Sequence, residues 1–492
     1  MSLEYSNFIG GQWVPARSGA RFSRENPATG ETTGSYPQSS AEDVAAAVCA
    51  AGEAARGWRR TPAPKRAEIL FRTAELLVRR KEDFARELTE EMGKVIAEAR
   101  GDVQEAIDMT YYMAGEGRRQ FGQTAPSELP DKFAMSVRAP VGVVGLITPW
   151  NFPMAIPSWK IMPALILGNT VVFKPSQSSP KSAHNLVKTL EEAGLPPGVL
   201  NLVHGEGATT GPALIEHPDV RMISFTGSNA VGKQIAVRCA ELGKQVSLEM
   251  GGKNAITILD DADLDLALDG VVWSAFGTAG QRCTAASRVI VQSGVHDVFA
   301  EQLIARTKAL RLGNGLDKAT DVGPVVNTDQ LGKVASYIPV GRGEGATVAC
   351  GGNVATGAGL DGGYFFEPTV FANVKPAMRI AQEEIFGPVT ALIKVESLEE
   401  AVDVNNGVPY GLSSSIYTRD VNRAFRAIES LDTGIVYVNA GTIGAEVHLP
   451  FGGMRGTGNG HREAGTAALE TFSEWKAVYV DYSGRLQRAQ ID

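Results

Sequence analysis

The sequence predicts an α/β fold with two parallel sheets and a small β element, and three observations support this prediction. Five short apolar, β-branched runs between 141 and 249 alternate with helix-like segments, which is the pattern of βαβ units. The same alternation resumes between 251 and 456. The segment 471–484 alternates like a strand and could pair with an extended arm at 123–140, in this subunit or in another one.

The N-terminal part contains two kinds of segment. Residues 5–40 contain short apolar runs separated by turn signals such as Asn-Pro and Thr-Gly, which predicts short strands. From Ala41 to about Arg119, apolar residues recur at spacings of three and four, which predicts helices with one buried face. We expect the charged residues of these helices to lie on solvated faces.

Composition and charge exclude several classes of protein. The 492 residues carry a net charge of −8 without a long basic run, which argues against nucleic-acid binding. The sequence has no apolar stretch of about 18 residues and no signal-peptide pattern. Its four cysteines lie far apart, without metal-ligand spacing, as in proteins of a reducing compartment. We therefore expect a cytoplasmic protein that binds neither nucleic acid nor membranes.

A polar or glycine-rich motif follows each of the five predicted strands in the first half. In chain order the motifs are TPWN, KPSQ, HGEG, FTGS and LEMGG. Ligands bind at the carboxyl ends of the strands in parallel sheets, so these motifs should meet at one edge. The first half therefore predicts a nucleotide-binding unit of the Rossmann type.

Two of these motifs resemble phosphate-binding loops without matching them fully. HGEGATTG, with Gly207 and Gly211, is one residue too long for the dinucleotide fingerprint. FTGSNAVGKQ has phosphate-loop spacing, but Gln234 replaces the hydroxyl residue that would hold Mg²⁺. A simpler interpretation is that Gly227 and Ser228 open a helix whose N–H groups receive a pyrophosphate. The alternative is an ordinary glycine turn capped by Ser228.

The stretch FGTAGQRCT places Cys283 after a glycine-rich turn, at the expected start of a helix. A helix N-terminus favours a thiolate and then an oxyanion, so this cysteine is a candidate nucleophile. The alternative is a buried structural thiol, since free cysteines are among the most buried residues. The stretch LEMGGKN offers Glu249 as a candidate base, with a solvated turn carboxylate as the alternative.

Seven motifs occur in one order between Thr148 and Gly453: TPWNFP, KPS, FTGS, LEMGGKN, GQRCT, EEIFGP and PFGG. Together they resemble the aldehyde dehydrogenase superfamily, whose members oxidise aldehydes with NAD(P) and without coenzyme A. The resemblance implies a Rossmann-like NAD(P)-binding domain at 1–121 and 141–250 and an α/β catalytic domain at 251–456. It also implies an oligomerisation arm and tail at 122–140 and 457–492, in homodimers or homotetramers.

The resemblance assigns the catalytic roles to three residues. Cys283 would attack the aldehyde carbonyl to give a thiohemiacetal, which loses hydride to the nicotinamide and becomes a thioester. The Asn151 amide and the Cys283 main-chain N–H would form the oxyanion hole. Glu249 would activate the water that hydrolyses the thioester, which suits a carboxylate with a raised pKa.

The resemblance also implies where the cofactor binds. Lys174 would hold the adenosine ribose, while Glu384 and Phe386 would position the nicotinamide and its ribose. The other residues implied to lie along the cofactor come from the strand-end motifs: Ile147, Thr148, Pro149, Trp150, Ser176, Gln177, Gly207, Gly211, Phe225, Thr226, Gly227, Ser228, Val231, Met250 and Gly251. Gln177 stands where many NAD-preferring members have a glutamate, so NAD is expected and NADP stays open.

The same resemblance places an aldehyde channel beside the nucleophile. Its walls would come from Phe152, Trp159, Thr284, Ala445 and Phe451, with simple core packing as the alternative for the aromatic residues. The loop at 439–453 and the tail are similar to the α-aminoadipic semialdehyde dehydrogenase branch. Glu446 could then lie near a substrate amino group, or it could face solvent. A semialdehyde with a polar or amino-acid head is expected, with simple aliphatic or aromatic aldehydes as the alternative.

Three rival classes of protein remain. A phosphate-loop hydrolase is disfavoured by Gln234. A dehydrogenase that releases its thioester to coenzyme A is disfavoured by the presence of Glu249. A non-catalytic member is disfavoured because both Cys283 and Glu249 are present.

Overall fold

A computed structural model of the protein describes residues 3–357 and 359–491. The chain begins with four short strands, β1 (Asn7–Ile9), β2 (Gln12–Val14), β3 (Arg21–Glu25) and β4 (Thr32–Pro37). Four helices follow, α1 (Ala41–Arg60), α2 (Ala63–Arg79), α3 (Lys81–Met92) and α4 (Ile96–Glu116). The strands and helices expected before residue 120 are thus confirmed.

Local sequence explains where the first long helix starts and which face it buries. Ser40 caps α1, and the Ser40 main-chain N–H donates to the Asp43 carboxylate, which forms a capping box. Val44, Val48 and Ala51 are buried at the spacing of one helix face. This face packs against β7, β8 and β9 of the first parallel sheet, and these contacts hold α1 against that sheet.

The first parallel sheet contains the five predicted strands, separated by helices. Its elements are β7 (Val143–Ile147), α5 (Ala155–Ile166), β8 (Thr170–Lys174), α6 (Pro180–Glu192), β9 (Leu200–Leu202), α7 (Gly207–Glu216), β10 (Val220–Gly227), α8 (Asn229–Glu241) and β11 (Gln245–Met250). The strand order is β11-β10-β7-β8-β9-β1-β2, in which β7 to β11 pair in parallel. All residues of β7 and β8 are buried, because helices cover both faces of the sheet.

The second parallel sheet is built from the chain after Gly251. The elements of this part of the chain are β12 (Asn254–Ile258), α9 (Leu264–Phe276), β13 (Ala286–Gln292), α10 (Ser293–Lys308), α11 (Thr328–Gly343), β14 (Thr347–Cys350), β15 (Thr369–Ala372), α12 (Arg379–Gln382), β16 (Val389–Val395), α13 (Leu398–Asn406), β17 (Tyr410–Gly411), β18 (Ser413–Tyr417), α14 (Val421–Ser430) and β19 (Ile435–Val438). Of these strands, β17 lies outside the seven-stranded sheet. The strand order is β14-β15-β16-β13-β12-β18-β19.

The last elements return to the first half of the chain. They are β20 (Met454–Arg455), α15 (Ala467–Thr471) and β21 (Ser473–Asp481). Two further strands, β5 (Gln123–Pro126) and β6 (Lys132–Pro140), form a three-stranded sheet with β21. β21 pairs antiparallel with β6 along its whole length, so the predicted pairing of tail and arm is confirmed within one chain.

One prediction about the second sheet is wrong. The segment after Cys283 is not a helix but the strand β13, which lies between β12 and β16. Its Val289, Ile290 and Val291 are fully buried, so β-branched packing in the sheet outweighs the helix preference of Ala285 and Ala286. Within the described ranges, no helix is long and apolar enough to cross a membrane.

Candidate active site

The segment before Cys283 is a tight turn of unusual conformation. Helix α9 ends at Phe276, and Gly277–Gly280 form a single short turn. Thr278 and Ala279 have φ angles of 53° and 52°, in the left-handed region that side chains seldom adopt. Gly280 shares this conformation, and a Cβ there would lie 2.0 Å from the Gly387 carbonyl oxygen. A glycine is therefore required at this position.

The structure does not place Cys283 at the start of a helix, so the helix N-terminus expected to favour its thiolate is missing. No helix begins at the cysteine, which lies between this turn and β13. Burial, together with Glu384, Glu249 and Glu105, raises the pKa of Cys283 to about 12. The Thr284 main-chain N–H lowers this pKa only in part. Ionisation therefore requires a nearby proton acceptor or a change in the local charge.

Asn151 lies directly beside the segment that carries Cys283. It follows β7 and is buried, and its Nδ2 donates a hydrogen bond to the Gln281 carbonyl at 3.0 Å. On the other side, Asn254 Nδ2 donates to the carbonyl oxygens of Cys283 at 2.7 Å and Ala285 at 3.0 Å. These two amides, one from each sheet, fix the main chain around the cysteine.

Glu249 is a buried carboxyl group and not a solvated turn residue. It lies near the end of β11 and is 3% exposed. Burial first, and then the neighbouring Glu463, raise its pKa well above the usual value, while Lys160 opposes this shift. Lys160 and Glu463 form a buried ion pair, and Lys160 also donates to Ser224. A carboxyl group with a raised pKa in this position is suited to exchange protons at neutral pH.

A cavity of about 360 Å³ opens next to Cys283 and Glu249. Five of the six predicted substrate residues line it, namely Phe152, Trp159, Thr284, Ala445 and Phe451. Trp159 packs edge-to-face on Phe451 with ring centroids 4.9 Å apart, so it belongs to the core and to the wall at once. The structure does not bring Glu446 to the cavity: its side chain is 68% exposed and pairs with His448.

The cavity also contains charged residues that the sequence analysis did not assign to it. They are Glu98, Asp102, Glu105, Arg282 and Glu463. Arg282 Nε donates to Thr278 Oγ1 and its Nη2 donates to Glu98, both at 3.0 Å. Burial, with Asp102 as the next cause, raises the pKa of Glu105 to about 8. At neutral pH the Glu105 carboxyl group is therefore protonated.

A second cavity, of about 170 Å³, adjoins the first, and Cys283, Thr226 and Met250 line both. Nine of the predicted cofactor residues line it: Pro149, Trp150, Thr226, Gly227, Ser228, Met250, Gly251, Glu384 and Phe386. Asn151 also lines this space. Gln330 and Lys333 of α11 line it too, and neither was predicted. Gln330 Nε2 donates to the Phe386 carbonyl at 2.7 Å, which fixes the loop that carries Glu384 and Phe386.

The remaining predicted cofactor residues lie along the same sheet edge, outside this cavity. Lys174 ends β8, and its Nζ donates to the Pro175 carbonyl at 2.7 Å. Burial lowers the pKa of Lys174 to about 8. Gln177 Nε2 lies 3.3 Å from Gln38 Oε1. Of the others, Ile147 ends β7, Thr148 follows it, Ser176 follows β8 and Phe225 lies in β10. Gly207 and Gly211 lie in the N-terminal half of α7, and Val231 lies in the first turn of α8.

The residues present fit a dinucleotide. The Thr226 hydroxyl is buried beside the second cavity and has no hydrogen-bond partner among the described residues, so a ligand could satisfy it. Ser228 caps α8 and opens a helix N-terminus towards this cavity, which suits a pyrophosphate. A Cβ on Gly251 would lie 2.2 Å from the Glu384 carboxylate, so glycine allows that carboxylate to lie against the main chain.

Comparison with known proteins agrees with this geometry. The aldehyde dehydrogenase family matches residues 13–478. The chain belongs to this family. It is an NAD(P)-dependent oxidoreductase that converts an aldehyde to a carboxylic acid, and the predicted family, fold class and enzyme class are confirmed.

Named relatives of the family include several semialdehyde dehydrogenases. The chain is 45% identical to an alpha-ketoglutaric semialdehyde dehydrogenase of Bacillus subtilis (strain 168), over 97% of this chain and 98% of the relative. It is 40% identical to an NADP(+) succinate-semialdehyde dehydrogenase of Escherichia coli (strain K12), over 96% of this chain and 97% of the relative. A crystal structure of betaine aldehyde dehydrogenase from Staphylococcus aureus with NAD+ superposes with a TM-score of 0.96 and 35% sequence identity. The match covers 98% of this chain and 96% of that structure's chain.

Proposed function

We propose that this protein oxidises a semialdehyde whose far end carries a carboxylate. The observation that supports this most strongly is the position of Arg282. Its side chain lines the cavity, is 11% exposed, and directly precedes Cys283 in the chain. Arg282 Nη1 makes no hydrogen bond to a described residue, so its N–H groups are available to a substrate carboxylate.

The acidic residues of the cavity do not oppose an anionic substrate. Glu98 is paired with Arg282, Asp102 with the buried Lys94, and Glu463 with Lys160. Glu105 is protonated at neutral pH, so it can donate a hydrogen bond to a carboxylate instead of repelling it. A cationic aldehyde, by contrast, would face the Arg282 guanidinium across a confined space.

The names of the relatives support the same class of substrate. Relatives from Bacillus subtilis at 45% identity and Haloferax volcanii at 42% identity are named for alpha-ketoglutarate semialdehyde, and others for glutarate and succinate semialdehydes. Each of these compounds is an aldehyde with a carboxylate at its other end. An amino-acid head, as expected from the loop around Glu446, would use the same carboxylate contact.

The three predicted catalytic residues would act in sequence on such a substrate. After its thiol proton leaves to water, Cys283 Sγ would add to the carbonyl carbon, and the resulting oxyanion would accept hydrogen bonds from Asn151 and the Cys283 main-chain N–H. Bound NAD(P) supplies the hydride acceptor for the next step. Glu249 then removes a proton from the water that attacks the thioester, and its raised pKa supports this role.

The residues around the second cavity and the strand ends would hold NAD(P). Ser228 and the N-terminus of α8 suit the pyrophosphate, and Lys174 suits the adenosine ribose. Gln177 and Gln38 form an uncharged amide pair where a glutamate would repel a 2′-phosphate. NAD remains the expected cofactor, and this neutral pair leaves room for NADP.

Three further proposals concern the whole protein. We propose the domains 1–121 with 141–250, 251–456, and 122–140 with 457–492, because the three sheets separate near these limits. The three-stranded sheet exposes Trp475 and Tyr479 on one face and Phe133 and Val480 on the other, and this exposed apolar surface supports a homodimer or homotetramer. All four cysteines are free thiols, which supports a cytoplasmic location.

The test is a comparison of small aldehydes that carry a negative, neutral or positive group at the far end. Purified protein is given succinate semialdehyde, butanal or betaine aldehyde, with NAD and NADP in parallel, and reduced nicotinamide is followed by its absorbance. We expect kcat/KM to fall from the anionic to the neutral to the cationic aldehyde, and Arg282→Gln to remove most of this difference. An equal or better rate with butanal in the unaltered protein would contradict the proposal. Cys283→Ala serves as the inactive control.

A further inference from the structure

The left-handed turn before Cys283 is held by a residue from the other half of the chain. Two consecutive residues with side chains, Thr278 and Ala279, have positive φ angles, and such a turn persists only when surrounding contacts hold it. Those contacts come mainly from Glu98, in the first turn of α4, about 180 positions earlier in the sequence.

Glu98 makes four hydrogen bonds with Thr278 and Arg282, which precede Cys283 in the chain. Both of its carboxylate oxygens accept the Thr278 main-chain N–H at 2.9 Å, and one accepts the Thr278 hydroxyl at 3.2 Å. Arg282 Nη2 donates to the same carboxylate at 3.0 Å. Because Arg282 Nε also donates to Thr278 Oγ1, the three side chains form a closed ring that ends one residue before Cys283.

Gly277 shows how closely this carboxylate lies against the turn. Its φ of −55° is ordinary, so the backbone conformation alone would accept any side chain. A Cβ at this position, however, would lie 2.8 Å from Glu98 Oε1. An alanine here would therefore displace the Glu98 carboxylate without straining the main chain.

We propose that Glu98 is a positioning residue that fixes Cys283 Sγ for attack by holding the Thr278–Gly280 turn. It lines the substrate cavity but not the cofactor cavity, and its hydrogen bonds go to Thr278 and Arg282. Its removal would let the turn relax towards ordinary backbone angles. Cys283 would then become more accessible and less well aligned with the oxyanion hole. This inference uses the role proposed above for Cys283 as nucleophile.

The test compares Glu98→Ala, Glu98→Gln and Gly277→Ala with a matched control. Glu82→Ala is suitable as the control because Glu82 forms two hydrogen bonds with Arg100, also on α4, at 2.7 and 2.8 Å, away from the site. For each protein, kcat and KM with butanal, the melting temperature and the rate of Cys283 alkylation by iodoacetamide are measured. Butanal is neutral, so the result does not depend on how Arg282 binds a carboxylate.

We expect Glu98→Ala and Gly277→Ala to lower kcat by about ten- to a hundredfold, with a small change in KM. In the same variants, iodoacetamide should alkylate Cys283 severalfold faster. Glu98→Gln should keep most of the kcat of the unaltered protein, because its amide oxygen still accepts the Thr278 N–H. A kcat for Glu98→Ala equal to that of Glu82→Ala would overturn the inference. So would a loss of kcat with no change in alkylation.

Two further measurements distinguish a folding defect of Glu98→Ala, or a wrong choice of nucleophile, from the loss of positioning. If Glu98→Ala does not fold, the same comparison is made with Gly277→Ala, and an unchanged kcat there overturns the inference. Turnover by Cys283→Ser at the rate of the unaltered protein would overturn the proposed nucleophile itself. That result is distinct from an unchanged Glu98→Ala enzyme, which overturns only the positioning role.

Discussion

Asn151 and Gln281 join the two parallel sheets at the nucleophile, because Asn151 Nδ2 donates to the Gln281 carbonyl at 3.0 Å. Asn151 follows β7 of the first sheet, and Gln281 precedes β13 of the second. The hydrogen bond uses one N–H of the Asn151 amide, and the other N–H is available to an oxyanion on Cys283. The contact thus orients the Asn151 amide, the proposed oxyanion donor, relative to the segment that carries Cys283.

Replacement of Asn151 should therefore impair chemistry more than binding. We expect Asn151→Ala to lower kcat by about a hundred- to a thousandfold, the usual cost of losing one oxyanion donor. KM should change little, since the ground-state aldehyde carries no full negative charge on its oxygen. Steady-state kinetics with butanal would test this, and a kcat within about threefold of the unaltered enzyme would contradict it.

The high pKa of Cys283 predicts how its reactivity depends on pH. Because the pKa is raised to about 12, the thiol is neutral below this value and only a small fraction is thiolate near neutrality. In the absence of cofactor, we expect the alkylation rate with iodoacetamide to rise about tenfold per pH unit between about pH 7 and about pH 9. Labelling followed by mass spectrometry measures this rate. A plateau in that range would show a thiolate at rest.

Glu105 should make the affinity for anionic aldehydes pH-dependent. Its pKa is raised to about 8, so the carboxyl group is neutral below this value and negatively charged above it. The groups that act on it are Asp102, Lys94, Arg282 and Asp108, together with Cys283 and Tyr437 across the cavity. We expect KM for succinate semialdehyde to rise above about pH 8 through repulsion of the substrate carboxylate.

The control for this prediction is Glu105→Gln, which cannot ionise. Its KM for succinate semialdehyde should stay level across the same pH range, and the KM for butanal should be level in both proteins. A parallel rise for butanal would show that the effect comes from a group other than Glu105.

The buried pair of Lys160 and Glu463 predicts a large effect on stability. Both side chains are shielded from water, so Lys160→Met would leave the Glu463 charge buried without its partner. We expect a loss of about 3–5 kcal/mol in the free energy of unfolding, measured by urea denaturation. Lys65→Met is the matched control, since Lys65 pairs with Glu68 on an exposed helix face and should cost under about 1 kcal/mol. Equal losses in the two variants would contradict the prediction.

The sequence predicted the first sheet because its signal is local. The apolar runs of β7 and β8 are continuous and buried on both faces, and a motif follows each of them at one edge. The helix expected after Cys283 is wrong because the β-branched run at 289–291, a local strand signal, pairs with β12 and β16. The contribution of helix α11 to the second cavity, through Gln330 and Lys333, was not predicted because it depends on tertiary packing.

The charged part of the site could not be found from sequence. Glu98 and Glu105 belong to a helix whose many acidic residues suggest only a solvated face, and periodicity does not show which of them meet the cavity. Arg282 stands inside the GQRCT motif, yet its partners are Thr278 and Glu98, and the Glu98 contact depends on tertiary packing. Glu446 was singled out from a loop pattern, although its side chain faces solvent.

The most direct test of the central claim is to trap the acyl group on Cys283. Glu249→Gln should still take up aldehyde and form reduced nicotinamide in a single burst, because only the hydrolysis of the thioester needs the base. We expect a burst equal to the number of active sites, followed by very slow turnover. Mass spectrometry of the digested protein should then show the acyl mass on the peptide that contains Cys283. A burst without this adduct, or an adduct on another residue, would contradict the account.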